Sequence, residues 1–161
     1  DAKAAGLQQA GNFVPGSAAH YVDLDRGLAT DFLLDRPLAW LYSGTSDTST
    51  VVGVMYYGAT DGAPEGFVGP LDVWHQHTGA CYRIEADGQI YVPFSPDHDG
   101  TRAECARHDG QYIEQTGWMV HAWVVPGWDS PSGVFSHDNP DIVCADGRRT
   151  VVDQSVGCVG A

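Results

Sequence analysis

The sequence predicts a mainly β domain, an antiparallel sheet curved or closed toward a barrel, with short helices as a minor α+β component. Two observations carry this. The chain spreads 20 Gly and 9 Pro through 161 residues, so regular segments are cut short and turns are frequent. Between those breaks stand several short apolar runs, and neither an internal repeat nor a linker divides them, so residues 1–161 read as one globular domain.

Taken in order, residues 1–12 are rich in Ala and Gln and are expected to form a short helix, stopped at Phe13-Val14-Pro15-Gly16. Pro37 to Tyr42 reads as a strand, and the Ser/Thr/Gly/Asp run from Ser43 to Thr50 as a loop. Val51 to Tyr57 is a second strand, completing a hairpin. Residues 58–70 hold two Pro and four Gly and form an irregular crossing. Asp72 to Thr78 leads into an apolar segment, Ala80 to Ile84. A turn at residues 86–89 precedes a short strand from Ile90 to Phe94. Residues 95–110 are a polar loop with room for one helical turn. Gly117 to Val125 is the clearest strand of the chain, and residues 126–141, with three prolines, are irregular. The tail alternates weakly and contains Cys144 and Cys158.

A hydrophobic content of 43% and a charged content of 18% belong to a globular chain rather than a disordered one. At this length roughly 70% of the unfolded surface is buried, enough for a core. The net charge is -13 with only 8 Lys and Arg. Such a surface repels duplex nucleic acid and anionic membranes, so no nucleic-acid partner is expected. The acidity serves solubility, or it draws cations toward the protein. No apolar run approaches the length of a transmembrane segment.

Four cysteines, Cys81, Cys105, Cys144 and Cys158, include no CxxC pair, which argues against a zinc knuckle or a thioredoxin-type motif. An even count in a Gly-rich chain points to two disulfides and an oxidising compartment. Of the three possible pairings, Cys81–Cys105 with Cys144–Cys158 is favoured, because each closes a loop between neighbouring segments. The polar, Ala-rich start at Asp1 fits a mature product whose leader has been removed. The expected location is therefore secreted or cell-envelope.

The chemistry concentrates in histidines. His75 and His77 lie two apart, and on a strand they would share a face. An HxH pair can give two imidazoles to one coordination sphere. His121 sits in the strongest strand with Met119, Trp123 and Val125 on its face. A buried imidazole there needs a hydrogen-bond partner or a metal. His20, flanked by small residues, is the fourth candidate ligand. Copper or zinc suits such nitrogen donors better than magnesium or calcium. Three ligands would leave a position for water or a small molecule, and four would suit carriage or structure. His137, in His137-Asp138-Asn139-Pro140, reads first as a turn with side-chain caps. His98 and His108, among Asp and Gly, read as solvated. Asp97-His98-Asp99-Gly100 lacks the full calcium-loop pattern and its Glu. No GxSxG, HExxH, Walker A or GxGxxG motif is present.

Two other functions fit the same residues. Trp74, Trp118, Trp123 and Tyr56 could line a metal-free pocket for a small ligand or glycan, with the histidines only hydrogen bonding. A histidine could also act as general base of a metal-free hydrolase.

Several segments occur in an order that resembles a group of exported bacterial proteins without an assigned function. They are His20-Tyr21-Val22, Pro37 to Tyr42, Val52 to Tyr57, His121-Ala122-Trp123, Ser130 to Phe135, Asn139-Pro140 and Cys144. The likeness spans roughly residues 13–144. It implies that His20 and His121 matter and supplies no reaction. Met55 stands where an acidic residue is common in that group, and Trp74 to His77 matches only some members. The HxH pair is also similar to cupins, but the Glu of the cupin spacing is missing.

Overall fold

The computed structural model describes residues 2–27, 31–67, 71–95, 98–149 and 158. Asp97 of the calcium-like run and most of the tail, residues 150–157 and 159–161, lie outside the described residues.

The protein is mainly β, as the Gly/Pro punctuation predicts. Among the described residues eight strands form one sheet: β1 (Gln8–Val14), β2 (Ala18–Val22), β3 (Ala39–Tyr42), β4 (Val51–Gly58), β5 (Thr78–Ile84), β6 (Ile90–Tyr91), β7 (Gln111–Gln115) and β8 (Trp118–Ala122). Their order is β7-β5-β6-β1-β2-β3-β4-β8. Every pairing is antiparallel except the parallel β1–β6 contact. The two outer strands, β7 and β8, follow one another in the chain with only Thr116 and Gly117 between them. A sheet whose ends are consecutive in sequence cannot lie flat, and this one curls into a half-barrel. A single antiparallel bridge between His75 and Met119 supports the curl, because it lays the approach to β5 along β8.

The expectation of a helix over residues 1–12 is overturned. Residues 3–6 turn and β1 follows. Gly6 and Gly11 hold φ of 83° and 69°, a left-handed conformation that no α-helix contains. Pairing of β1 with both β2 and β6 then outweighs the helix-favouring composition. The strand β7 carries no strand signal in the sequence, because its polar residues, exposed at both ends, show no apolar alternation. Ile90–Phe94 shortens to β6, and Pro93, which has no N–H for a ladder, lies just beyond.

The β3–β4 hairpin forms as expected, with Leu41 opposite Gly53. A Cβ on Gly53 would come within 2.9 Å of the Ala122 carbonyl oxygen and 3.0 Å of the Trp123 ring, so glycine is what lets β4 approach the end of β8. The core gathers Phe13, Leu38, Leu41, Val52, Val120 and Trp123. In the 95–110 loop, α1 (Arg102–Ala106) is the single helical turn foreseen. Thr101 and Glu104 form a reciprocal capping box that fixes its start. Both disulfides pair as favoured: Cys81–Cys105 ties α1 to β5, and Cys144–Cys158 closes a separation of 14 residues. Among the described residues no helix is long and apolar enough to cross a membrane.

Candidate metal centre

Five of the seven histidines meet at one end of the half-barrel: His20 on β2, His121 on β8, His75 and His77 before β5, and His137 in the loop after β8. Alternation along β8 turns Met119 and His121 to one face of the sheet, and the curl brings His20 in from β2. The Nε2 atoms of His20 and His121 lie 3.2 Å apart.

His75 and His77 are not on a regular strand, as the period-two reasoning supposed. His75 makes one bridge to Met119, through the His75 N–H to the Met119 carbonyl and the Met119 N–H to the His75 carbonyl. Two residues later the His77 N–H donates to Thr116 Oγ1 and the His77 carbonyl accepts from the Thr116 N–H. These anchors still bring the two rings to 5.1 Å between centroids.

Ligand nitrogens of His75, His77 and His137 all lie within 4.8 Å of one another, and the three could hold a metal ion. The rings of His75 and His137 are 4.3 Å apart, and those of His77 and His137 5.7 Å. His121 stands beside them, its ring 5.7 Å from that of His75 and 5.8 Å from that of His137. Imidazoles sharing one tetrahedral ion at about 2.0–2.1 Å place their centroids about 5 Å apart, so these spacings are those of a common centre.

His137 is the residue that sequence reasoning passed over as a turn. Its place depends on distant contacts. The Trp123 indole N–H donates to the Ser136 carbonyl at 2.9 Å, and the Trp123 backbone N–H to that of Val134. Asn139, fully buried, donates through Nδ2 to the Trp128 carbonyl and through its backbone N–H to that of Gly16. These bonds hold the loop against β8 and the β1–β2 turn.

The hydrogen bonds set the tautomers that metal binding requires. His121 donates its Nδ1–H to the His137 carbonyl at 2.6 Å, leaving Nε2 with the lone pair. His75 directs Nδ1 at the Val73 carbonyl, 3.3 Å away, and its Nε2 is buried with no hydrogen-bond partner. An orphaned buried nitrogen of this kind calls for a ligand. His137 Nδ1 lies 3.1 Å from Asp138 Oδ1, the carboxylate contact that orients many ligating imidazoles. That hydrogen bond is also the main reason the Asp138 carboxyl is held below the usual range.

Burial keeps three of these rings neutral. Desolvation first, then the neighbouring histidines, lower His20 to about 4. The same causes lower His75 and His121 to about 3. At neutral pH these rings are uncharged donors.

The remaining candidates stand outside the group formed by His75, His77 and His137. His98 keeps a largely exposed side chain 3.9 Å from Glu104, and Phe94 packs on both His98 and His108. Trp123 is buried under the 134–136 loop, and Trp74 joins Phe32, Phe67 and Tyr56 in an edge-to-face cluster. In comparisons with known proteins, no family model matches the chain, and neither a curated protein nor a solved structure is significantly similar to it.

Proposed function

We propose that the chain is a secreted or cell-envelope metal-binding protein that holds copper or zinc through His75, His77 and His137, with His121 and His20 as the adjoining imidazoles. The observation that carries the reading is the convergence of three ligand nitrogens within 4.8 Å, one of them the buried and unpartnered Nε2 of His75. Neutral nitrogen donors select borderline metals over magnesium and calcium. The net charge of -13 draws a cation in. The two disulfides suit an oxidising compartment. Three ligands leave coordination open, so a bound water could be activated or a small molecule polarised.

The test is metal content. Protein purified without a His tag and offered copper or zinc should retain about one ion per chain. A His75→Ala/His77→Ala variant with an unchanged far-ultraviolet spectrum should retain none. Equal retention by variant and parent would place the metal elsewhere and end the proposal.

A further inference from the structure

The histidine cluster opens on a space with a different character. Two adjoining hollows, of about 220 and 240 Å³, occupy the inside of the curl. They share a wall that includes Ala10, Val22, Met55, Ala80, Val92 and Met119. The first reaches His20, His77 and His98, with Asn12, Ser17 and Thr78 beside them, and the second runs away from them toward Leu38, Ile84 and Ile113. Imidazoles thus stand at one end of a space whose other end is hydrocarbon.

The lining restricts what can enter. Among the described residues no Lys or Arg lines either hollow, so an anion finds no counter-charge from them apart from a metal. No Asp or Glu among the described residues lines either one to pair with an ammonium group. An apolar cavity of about 150 Å³ takes a benzene-sized molecule, so each hollow has room for about ten heavy atoms. Met55 and Met119, unbranched and polarisable, can adapt to the shape of a guest.

We propose that the inside of the half-barrel is a binding chamber for a small, neutral, mainly apolar molecule whose single polar group is held at the His20/His77 end. The polar group reaches the metal, and in that respect the inference rests on the proposed metal centre; the apolar half does not.

Three probes separate the two parts. Imidazole engages only the metal. 4-Phenylimidazole adds a phenyl ring for the chamber. Indole, neutral and of suitable size, reports the chamber without a metal. Titration calorimetry on zinc-loaded protein should show 4-phenylimidazole binding at least about tenfold tighter than imidazole, because the phenyl ring leaves water. Ala80→Phe, which fills the chamber from β5, should erase that preference and leave zinc retention and imidazole binding intact. Val92→Phe is the second variant should the first fail to fold. Indole should bind the metal-free parent and not these variants. Equal affinity of the two azoles, with zinc bound and indole ignored, overturns the chamber and spares the metal centre. Indole binding lost in Ala80→Phe, from a chain that retains no zinc, supports the chamber and overturns the metal centre.

Discussion

His20 on β2 and His121 on β8 meet nitrogen to nitrogen at 3.2 Å, although two strands separate β2 from β8 in the sheet. The His121 ring is tied by its Nδ1–H to the His137 carbonyl, and the His20 side chain hydrogen bonds the backbone at Ala18. Facing lone pairs repel unless a proton or a cation lies between them. Two ligands on a tetrahedral ion stand about 3.3–3.4 Å apart, so this pair already has the spacing of metal donors. Metal should therefore stabilise the fold. At an ion concentration of about 100 times Kd the gain is about 2.7 kcal/mol, which for a chain of this size raises Tm by about 5–10 °C. Differential scanning calorimetry with and without zinc checks it. His121→Ala should reduce the rise, and an unchanged Tm in the parent protein would count against any structural role for the ion.

The metal-free protein should lose stability in acid, in a window set by the histidines. His20 is held at about 4 and His75 and His121 at about 3, against an ordinary 6.5. As pH falls below 6.5 the unfolded chain takes up protons that the folded chain refuses. The contribution is complete above 6.5 and disappears as pH falls toward the folded values. Each histidine kept neutral costs about 1.4 kcal/mol per pH unit inside that window. Urea midpoints measured from pH 7.5 down to 4.5 should fall steeply, and His75→Gln should flatten the slope. A midpoint constant across that range would mean that the imidazoles are not buried as neutral groups.

The Cys81–Cys105 bridge should matter more than its place in a loop suggests. It spans 24 residues and is the covalent tie between α1, a helix of five residues, and β5. Closing a loop of that length is worth about 3 kcal/mol against the unfolded chain. A Cys81→Ser/Cys105→Ser variant should lose about that much in urea unfolding. Its hydrogen exchange should quicken first over α1 and β7, which pack on each other. A loss confined to a few tenths of a kcal/mol would show that packing alone holds α1 in place.

Local pattern was enough for much of this. The β3–β4 hairpin, the turn at residues 86–89, the single turn of α1 and the burial of His121 all follow from short-range signals, and the disulfide pairing followed from proximity along the chain. What failed was decided at a distance. β1 is a strand because β2 and β6 flank it, whatever Ala and Gln prefer alone. His75 and His77 converge through Met119 and Thr116, not through strand periodicity. His137 sits in a run that any local reading takes for a turn, and its position is imposed from β8 and the β1–β2 turn, more than a hundred residues apart in sequence.

That dependence gives the sharpest test of the loop. Asn139 has no exposed surface and touches no histidine nitrogen among its hydrogen bonds, yet it fastens the segment that carries His137. Its Nδ2 serves the Trp128 carbonyl at 2.9 Å, and its Oδ1 accepts the Asp141 N–H at 3.1 Å. Asn139→Ala strands both partners, at a cost of about 2–3 kcal/mol. Asn139→Asp keeps the acceptor but sets a carboxylate oxygen against the Trp128 carbonyl in a fully buried site, so it should cost at least as much as the alanine. Because His137 would then sample positions away from His75 and His77, metal affinity should drop in both variants, by about 10-fold or more, as for the loss of other groups that orient ligands. Urea unfolding gives the first quantity and competition with a chromogenic chelator the second. A variant that is less stable but binds metal as tightly as the parent would show that His137 is not among the ligands, and the ion would then belong to His75, His77 and the His20–His121 pair.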